Sequence, residues 1–181
     1  MKNPLPILYI LAVLLLASIE GWCADFQKGW NAFYNGDYSA AFLEWKPLAE
    51  QGEAKAQFLV GMMYSDGTGV PQDHKEAILW YRLSAEQAYA LAQNNLGLMY
   101  YDGQGITQDY TLARKWLQLS AGQGVPEAQF LLGWMYYKGQ GVLYNYKEAA
   151  KWLRLAADQG LAVAQTNLGL MYLRGQGIPQ D

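Results

Sequence analysis

The chain has 181 residues, 52% of them hydrophobic and 16% charged, with 13 basic against 16 acidic side chains and a net charge of −3. Such a composition is too apolar for disorder and suffices for one ordinary domain with a sizeable core. It leaves no basic surplus to neutralise nucleic-acid phosphates or to dock on an anionic membrane, so neither partner is expected.

Residues 1–24 differ from the rest. "MKNP" is a short basic start, "LPILYILAVLLLAS" is almost purely apolar, and "IEGWCA" leads into "DFQKGW". This is the layout of a secretory signal. The apolar stretch Ile7 to Ser18 is shorter than the about 20 residues a helix needs to cross a bilayer. A cleaved signal is therefore expected, cut among residues 21–24, with a periplasmic or secreted mature chain and no membrane insertion; an uncleaved anchor is the alternative. Cys23 is the only cysteine. Trp22 directly before it departs from the small-residue pattern of a lipid-modified cysteine, so lipid anchoring is not expected. A lone cysteine also rules out an internal disulfide and a cysteine-rich zinc site. Residues 25–51 look like a degenerate helical hairpin with a short bend at Asn35-Gly36-Asp37.

From there the sequence repeats. Gly67 returns as Gly103, Gly139 and Gly175, 36 residues apart, and Gly69 returns in step as Gly105, Gly141 and Gly177. A period of this size outranks any local motif. Gln57, Gln93, Gln129 and Gln165 share one slot, as do Gly61, Gly97, Gly133 and Gly169. Ala77/Ala113/Ala149, Trp80/Trp116/Trp152 and Leu83/Leu119/Leu155 recur in the second half of the unit. Three units, 52–87, 88–123 and 124–159, are followed by a partial fourth, 160–181, with a first helix and bend only.

Each unit reads as two helices. Ala56, Val60, Met63 and Tyr64 form one apolar face at helical spacing, and Ala77, Trp80, Tyr81 and Ser84 form another. Small residues at 61 and 77 allow close approach of the two axes, and Trp80, Trp116 and Trp152 are expected in the core. Gly67 suits the C′ position of the first helix, where positive φ is needed. Asp73 then caps the second helix, with Glu76 expected to complete a capping box; Asn145 and Glu148 repeat the pattern. The bend "DGTGVPQD" has neither the strand and Lys-Ser/Thr pair of a phosphate loop nor the alternating oxygen ligands of a calcium loop. Four copies mark it as architecture.

At "AQFLVGMMYSDGTGVPQDHKEAILWYRLSAEQ", "AQNNLGLMYYDGQGITQDYTLARKWLQLSAGQG" and "AQFLLGWMYYKGQGVLYNYKEAAKWLRLAADQG" the chain resembles the Sel-1-like repeat family, relatives of the tetratricopeptide repeats. The resemblance covers residues 52–181. It implies an all-α fold, a right-handed α-solenoid of stacked antiparallel helix hairpins, and an adaptor that binds other proteins through varied surfaces. Some secreted members staple each hairpin with cysteines; this chain cannot, and nothing tied to that branch carries over. The unfinished fourth unit offers a face for self-association, since Leu168, Met171 and Tyr172 do not supply the polar outer surface of a terminal cap.

Slots that vary between units are free to serve a partner. On the first helices these form a stripe: Phe58, Met62, Ser65 and Asp66; Asn94, Asn95, Leu98, Tyr101 and Asp102; Phe130, Trp134, Tyr137 and Lys138; Thr166, Leu170, Leu173 and Arg174. If first helices line the concave face, as in stacked hairpins of this kind, the stripes make a groove for a protein or an extended peptide. The groove is acidic near Asp66 and Asp102 and basic near Lys138 and Arg174. Asn94 is expected to hold a peptide backbone through its amide. An aromatic at a varying slot either faces the groove or packs on the next hairpin, and both remain open for Trp134.

Catalysis finds no support. His74, the sole histidine, falls in the first turn of a helix and is expected to be exposed, and no serine has a base beside it. No catalytic residue, cofactor or metal is expected. The reading is a non-catalytic interaction module of the cell envelope; the alternatives are a cell-wall-directed hydrolase and a structural subunit of a larger envelope assembly.

Overall fold

The computed structural model describes residues 26–177; the expected signal and Cys23 lie outside them. The described residues contain helices and no strand: α1 (26–34), α2 (Tyr38–Glu50), α3 (Ala54–Asp66), α4 (His74–Glu86), α5 (Ala90–Asp102), α6 (Tyr110–Gly122), α7 (Pro126–Lys138), α8 (Tyr146–Asp158) and α9 (Ala162–Leu173). From α2 onward each helix packs on its neighbours in sequence, most closely within the pairs α3–α4, α5–α6 and α7–α8. The result is a right-handed α-solenoid of stacked hairpins, so each unit relies on adjacent units for its core. None of these helices is long and apolar enough to cross a membrane.

The close approach within a hairpin is made at one slot. A Cβ placed on Gly61, Gly97 or Gly133 would come within 2.8, 2.7 or 2.9 Å of Tyr81, Leu117 or Leu153. Those three residues are 2%, 0% and 1% exposed. Trp80, Trp116 and Trp152, expected in the core, are half-buried instead, with one flank packed on it. Their neighbours one position on face the glycine and take the interior. In the first hairpin the same slot holds a tryptophan, Trp45, fully buried over Gly29.

The bend works as two devices. Gly67, Gly103 and Gly139 end α3, α5 and α7 in the left-handed conformation (φ 70°, 73° and 72°). Gly69, Gly105 and their counterparts instead press against the start of the preceding hairpin's second helix. A Cβ at 69 would lie 2.6 Å from the Tyr38 carbonyl, and one at 105 would lie 2.5 Å from the Cβ of His74. His74 is thus half-buried beneath the next bend, not exposed as expected, and its buried Nδ1 has no hydrogen-bond partner among the described residues.

Asp73, Asp109 and Asn145 cap α4, α6 and α8, each side chain accepting from two backbone N–H groups. The capping box is only half made. The N–H groups of Asp73 and Asn145 donate to the carbonyls of Tyr64 and Tyr136 at 2.9 Å rather than to Glu76 and Glu148, which ties the second helix to the last turn of the first.

The recurring glutamine joins one hairpin to the next. Gln57, Gln93 and Gln129 are buried, and their Nε2 groups donate to the carbonyls of Ala49, Ala85 and Ala121 at 3.1, 3.1 and 3.2 Å. Each Oε1 accepts from Gln87, Gln123 or Gln159 at 2.8 Å. Those carbonyls also accept from the Gly52, Ala88 and Gly124 N–H groups at 3.0 Å, so the glutamine adds a second donor that reaches across from the next hairpin. In α9 the pattern stops: Gln165 donates to Ala157 at 3.1 Å but is exposed, and a Cβ on Gly169 would meet nothing within 4 Å. Leu168 and Met171, expected on the outer face, are buried against α8, while Val163, Leu170 and Leu173 are the exposed apolar residues of α9.

Candidate functional site

Two pockets open between successive first helices. One, of about 320 Å³, is lined by Met62, Ser65 and Asp66 of α3, Tyr81 of α4, Asn95, Leu98, Met99 and Asp102 of α5, and Gln104 of the bend. The other, of about 170 Å³, is lined by Trp134, Tyr137, Lys138, Leu153, Asn167, Leu170, Met171, Arg174 and Gln176. Every residue of the second is the counterpart, two repeat periods on, of a residue of the first. The solenoid therefore makes one hole twice and lines it differently.

In the first pocket Tyr81 forms part of the floor. Burial pushes its phenol above the ordinary value of 10.0, while hydrogen bonds with Asn95 and Ser65 lower it and the nearby Asp66 raises it. Asp66 and Asp102 are the last residues of α3 and α5, at the negative ends of two helix dipoles, where a carboxylate is disfavoured. Neither makes a hydrogen bond or ion pair among the described residues, although both are exposed enough to meet a ligand.

In the second pocket Trp134 fills the slot of Met62 and takes up space, as does Tyr137, which holds the slot of Ser65. Its ring stacks on Trp134 with centroids 5.5 Å apart and planes at 16°, and its hydroxyl donates to Gln176 Oε1 at 3.3 Å. Lys138 Nζ lies 4.7 Å from the centre of the Trp134 ring, and Arg174 donates to the Tyr137 hydroxyl at 3.3 Å. Lys138 ends α7 and Arg174 caps α9, so both cations occupy the helix ends that favour them. Between the pockets the Tyr101 hydroxyl donates to Gln140 Oε1 at 2.9 Å, as Tyr137 does to Gln176, and is also engaged by Trp134; burial pushes the Tyr101 phenol upward.

The sequence-selected residues thus separate. Met62, Asp66, Leu98 and Asp102 meet in one pocket, Trp134, Tyr137, Lys138 and Arg174 in the other, and Tyr101 bridges the wall between them. Phe58 lies instead between hairpins, its ring 5.9 Å from Tyr81 and 5.3 Å from Tyr89, and Phe130 packs on the cluster around Leu153. Asn94 is 7% exposed; it donates to Asn95 at 3.2 Å, so its amide is directed within the protein rather than toward a peptide. Sequence reading missed Tyr81, Asn95's partner in the first pocket, because its place on an apolar helix face pointed to the core, and Gln104 and Gln176 at the pocket rims, because their slot repeats the same residue in successive bends. Leu83, Leu119 and Leu155, repeated as if for the core, are half-exposed on the second helices. Among the described residues no group of three or more His, Cys, Asp or Glu side chains could hold a metal ion.

Comparison with known proteins gives the same repeat. The Sel1 repeat pattern matches residues 54–89, 90–125, 126–161 and 162–181, two residues out of phase with units counted from residue 52. A protective antigen of uropathogenic Escherichia coli strains, displaying an SLR fold, is 35% identical with a TM-score of 0.85, over 94% of this chain and 38% of that one. A Sel1 repeat protein from Oxalobacter formigenes is also 35% identical, with a TM-score of 0.81, over 87% of this chain and 62% of that one. The chain therefore spans less than two thirds of the length of either. Helicobacter pylori cysteine rich protein B shares the fold at 17% identity and a TM-score of 0.59, over 72% of this chain and 96% of that one. A search of curated proteins gives no match.

Proposed function

We propose that this chain, which belongs to the Sel1 repeat family, is a non-catalytic interaction module of the cell envelope that binds a protein or an extended peptide along the face of its first helices. Sel1 repeat solenoids are generally protein-interaction folds. The observation that carries the reading is the division of labour between slots. Repeated residues supply much of the core and the bends, while Met62, Asp66, Leu98 and Asp102, and Trp134, Tyr137, Lys138 and Arg174, all from varying slots, gather in two open pockets, an aromatic pair and four charged side chains among them. Aromatic anchors in such pockets dominate binding energy, a truncation often costing about 2 kcal/mol or more. The leader of residues 1–24 supports export, and a relative described as a protective antigen is in keeping with it.

Affinity capture from a cell-envelope extract tests the main reading, using the parent beside a Trp134→Ala/Tyr137→Ala variant of equal helicity. A protein held by the parent and lost by the variant supports it. Equal capture by both removes the pockets from the function, and concentration-dependent self-association of either would favour the assembly.

A further inference from the structure

The two pockets differ in charge and size but share every slot, and that narrows the chemistry of the occupant. In the first, Met62, Leu98 and Met99 offer an apolar bed on which the methylene stem of a lysine or arginine can lie, as long cationic side chains do on apolar surface. Beyond the bed stand Asp66 and Asp102. Each adds negative charge to a helix end that is already negative, and no cation stands among the described residues that line the pocket. The placement disfavours the free protein and favours a bound cation, the kind of local conflict that marks a working site. In the second pocket the signs reverse. Lys138 and Arg174 flank a smaller space walled by Trp134, sized for a carboxylate on a short stem.

Resting on the interaction reading above, we propose that the occupant is an extended peptide with two charged anchors. A basic side chain seats between Asp66 and Asp102, and a carboxylate seats against Lys138 and Arg174. The stretch between them passes over Tyr101 and Trp134. Neighbouring helix axes pack about 8–10 Å apart, so two repeats separate the pockets by about 20–40 Å. An extended chain at about 3.3 Å per residue covers that in about six to twelve residues. Opposite charges at the two ends also fix the direction in which the peptide lies and exclude one of the reversed pattern.

The test is selection from a displayed library of random sixteen-residue peptides by the full chain, followed by anisotropy of the selected peptides made synthetically. The expected winners carry a lysine or arginine and an acidic group at one fixed separation. Asp66→Asn/Asp102→Asn then weakens a winner about tenfold and abolishes selection for the basic residue alone, while Lys138→Gln/Arg174→Gln does the same for the acidic one. Amidating the C-terminus separates a terminal carboxylate from a side-chain carboxylate. Thermal melts confirm that the variants remain folded. Winners without a charge pattern, or affinities that neither pair of substitutions moves, overturn the two-anchor proposal while leaving peptide binding in place. No enrichment overturns it as well. If envelope capture still depends on Trp134 and Tyr137 in that case, the interaction reading stands and the partner is a folded surface; if capture fails too, both fall.

Discussion

The pocket between α3 and α5 and the pocket between α7 and α9 are built from the same nine slots, yet one is roomy and acidic and the other is tight and basic. Their difference separates two jobs that a repeat sequence carries at once. Glycines 61, 97 and 133, the bends and the glutamine ladder determine where a hole forms; Ser65 against Tyr137, and Asp66 and Asp102 against Lys138 and Arg174, determine what can enter it. A solenoid can therefore change its ligand without changing its frame, since each unit contacts only its neighbours.

The strongest way to break the comparison is to give the first pocket the second one's charges. Asp66→Lys/Asp102→Lys is expected to weaken a selected peptide by about 100-fold in anisotropy titrations, because like charges then meet at the anchor. Ser65→Tyr tests volume rather than charge. It should close the first pocket as Tyr137 narrows the second, lowering peptide affinity about tenfold, or about 1.4 kcal/mol, in a chain that thermal melts show to remain folded.

Tyr81→Phe probes the floor, where the counterpart residue is Leu153. Losing the hydrogen bonds with Asn95 and Ser65 is expected to cost about 1 kcal/mol in denaturant unfolding near neutral pH. The pH dependence has a definite sign. Burial raises this phenol above 10.0 in the folded chain, so the unfolded chain loses its proton first. The stability tied to the neutral phenol is complete below pH 10.0 and declines as pH rises toward the raised folded value. The phenylalanine variant should lack that part of the alkaline decline. The smallest effects are at the helix ends: Asp66→Asn should stabilise and Lys138→Gln destabilise by about 0.3–1 kcal/mol each, read from melts at low salt.

Much of the frame was legible in the residues. The returning Gly-x-Gly bends announced the hairpins, Gly67 its left-handed cap, and Asp73, Asp109 and Asn145 the helix starts. Other features depend on contacts that the local pattern does not contain. Trp80 and Tyr81 are adjacent, large and apolar, and only Gly61 across the hairpin decides that the tyrosine goes inside. Glu76 has the spacing for a capping box, but the N–H it would need is taken by the Tyr64 carbonyl. The glutamine pairs join residues 30 apart in sequence, beyond any helical periodicity.

At the candidate site, variation between units pointed to Asp66, Asp102, Lys138 and Arg174, which reach open pockets, and equally to Phe58 and Asn94, which do not. A slot can vary because a ligand reads it or because its packing partner changes with it. Phe58 and Phe130 occupy such a slot for packing, the one against Tyr89 and the other in the cluster that includes Leu161.

The most direct measurement exchanges the two pockets' charges in one protein, Asp66→Lys/Asp102→Arg/Lys138→Asp/Arg174→Asp, and titrates a selected peptide and its charge-reversed copy against parent and variant. If one frame presents two opposite anchors, the parent prefers the first peptide and the exchanged protein the second, each by at least about tenfold. Equal binding of both peptides by both folded proteins would contradict it.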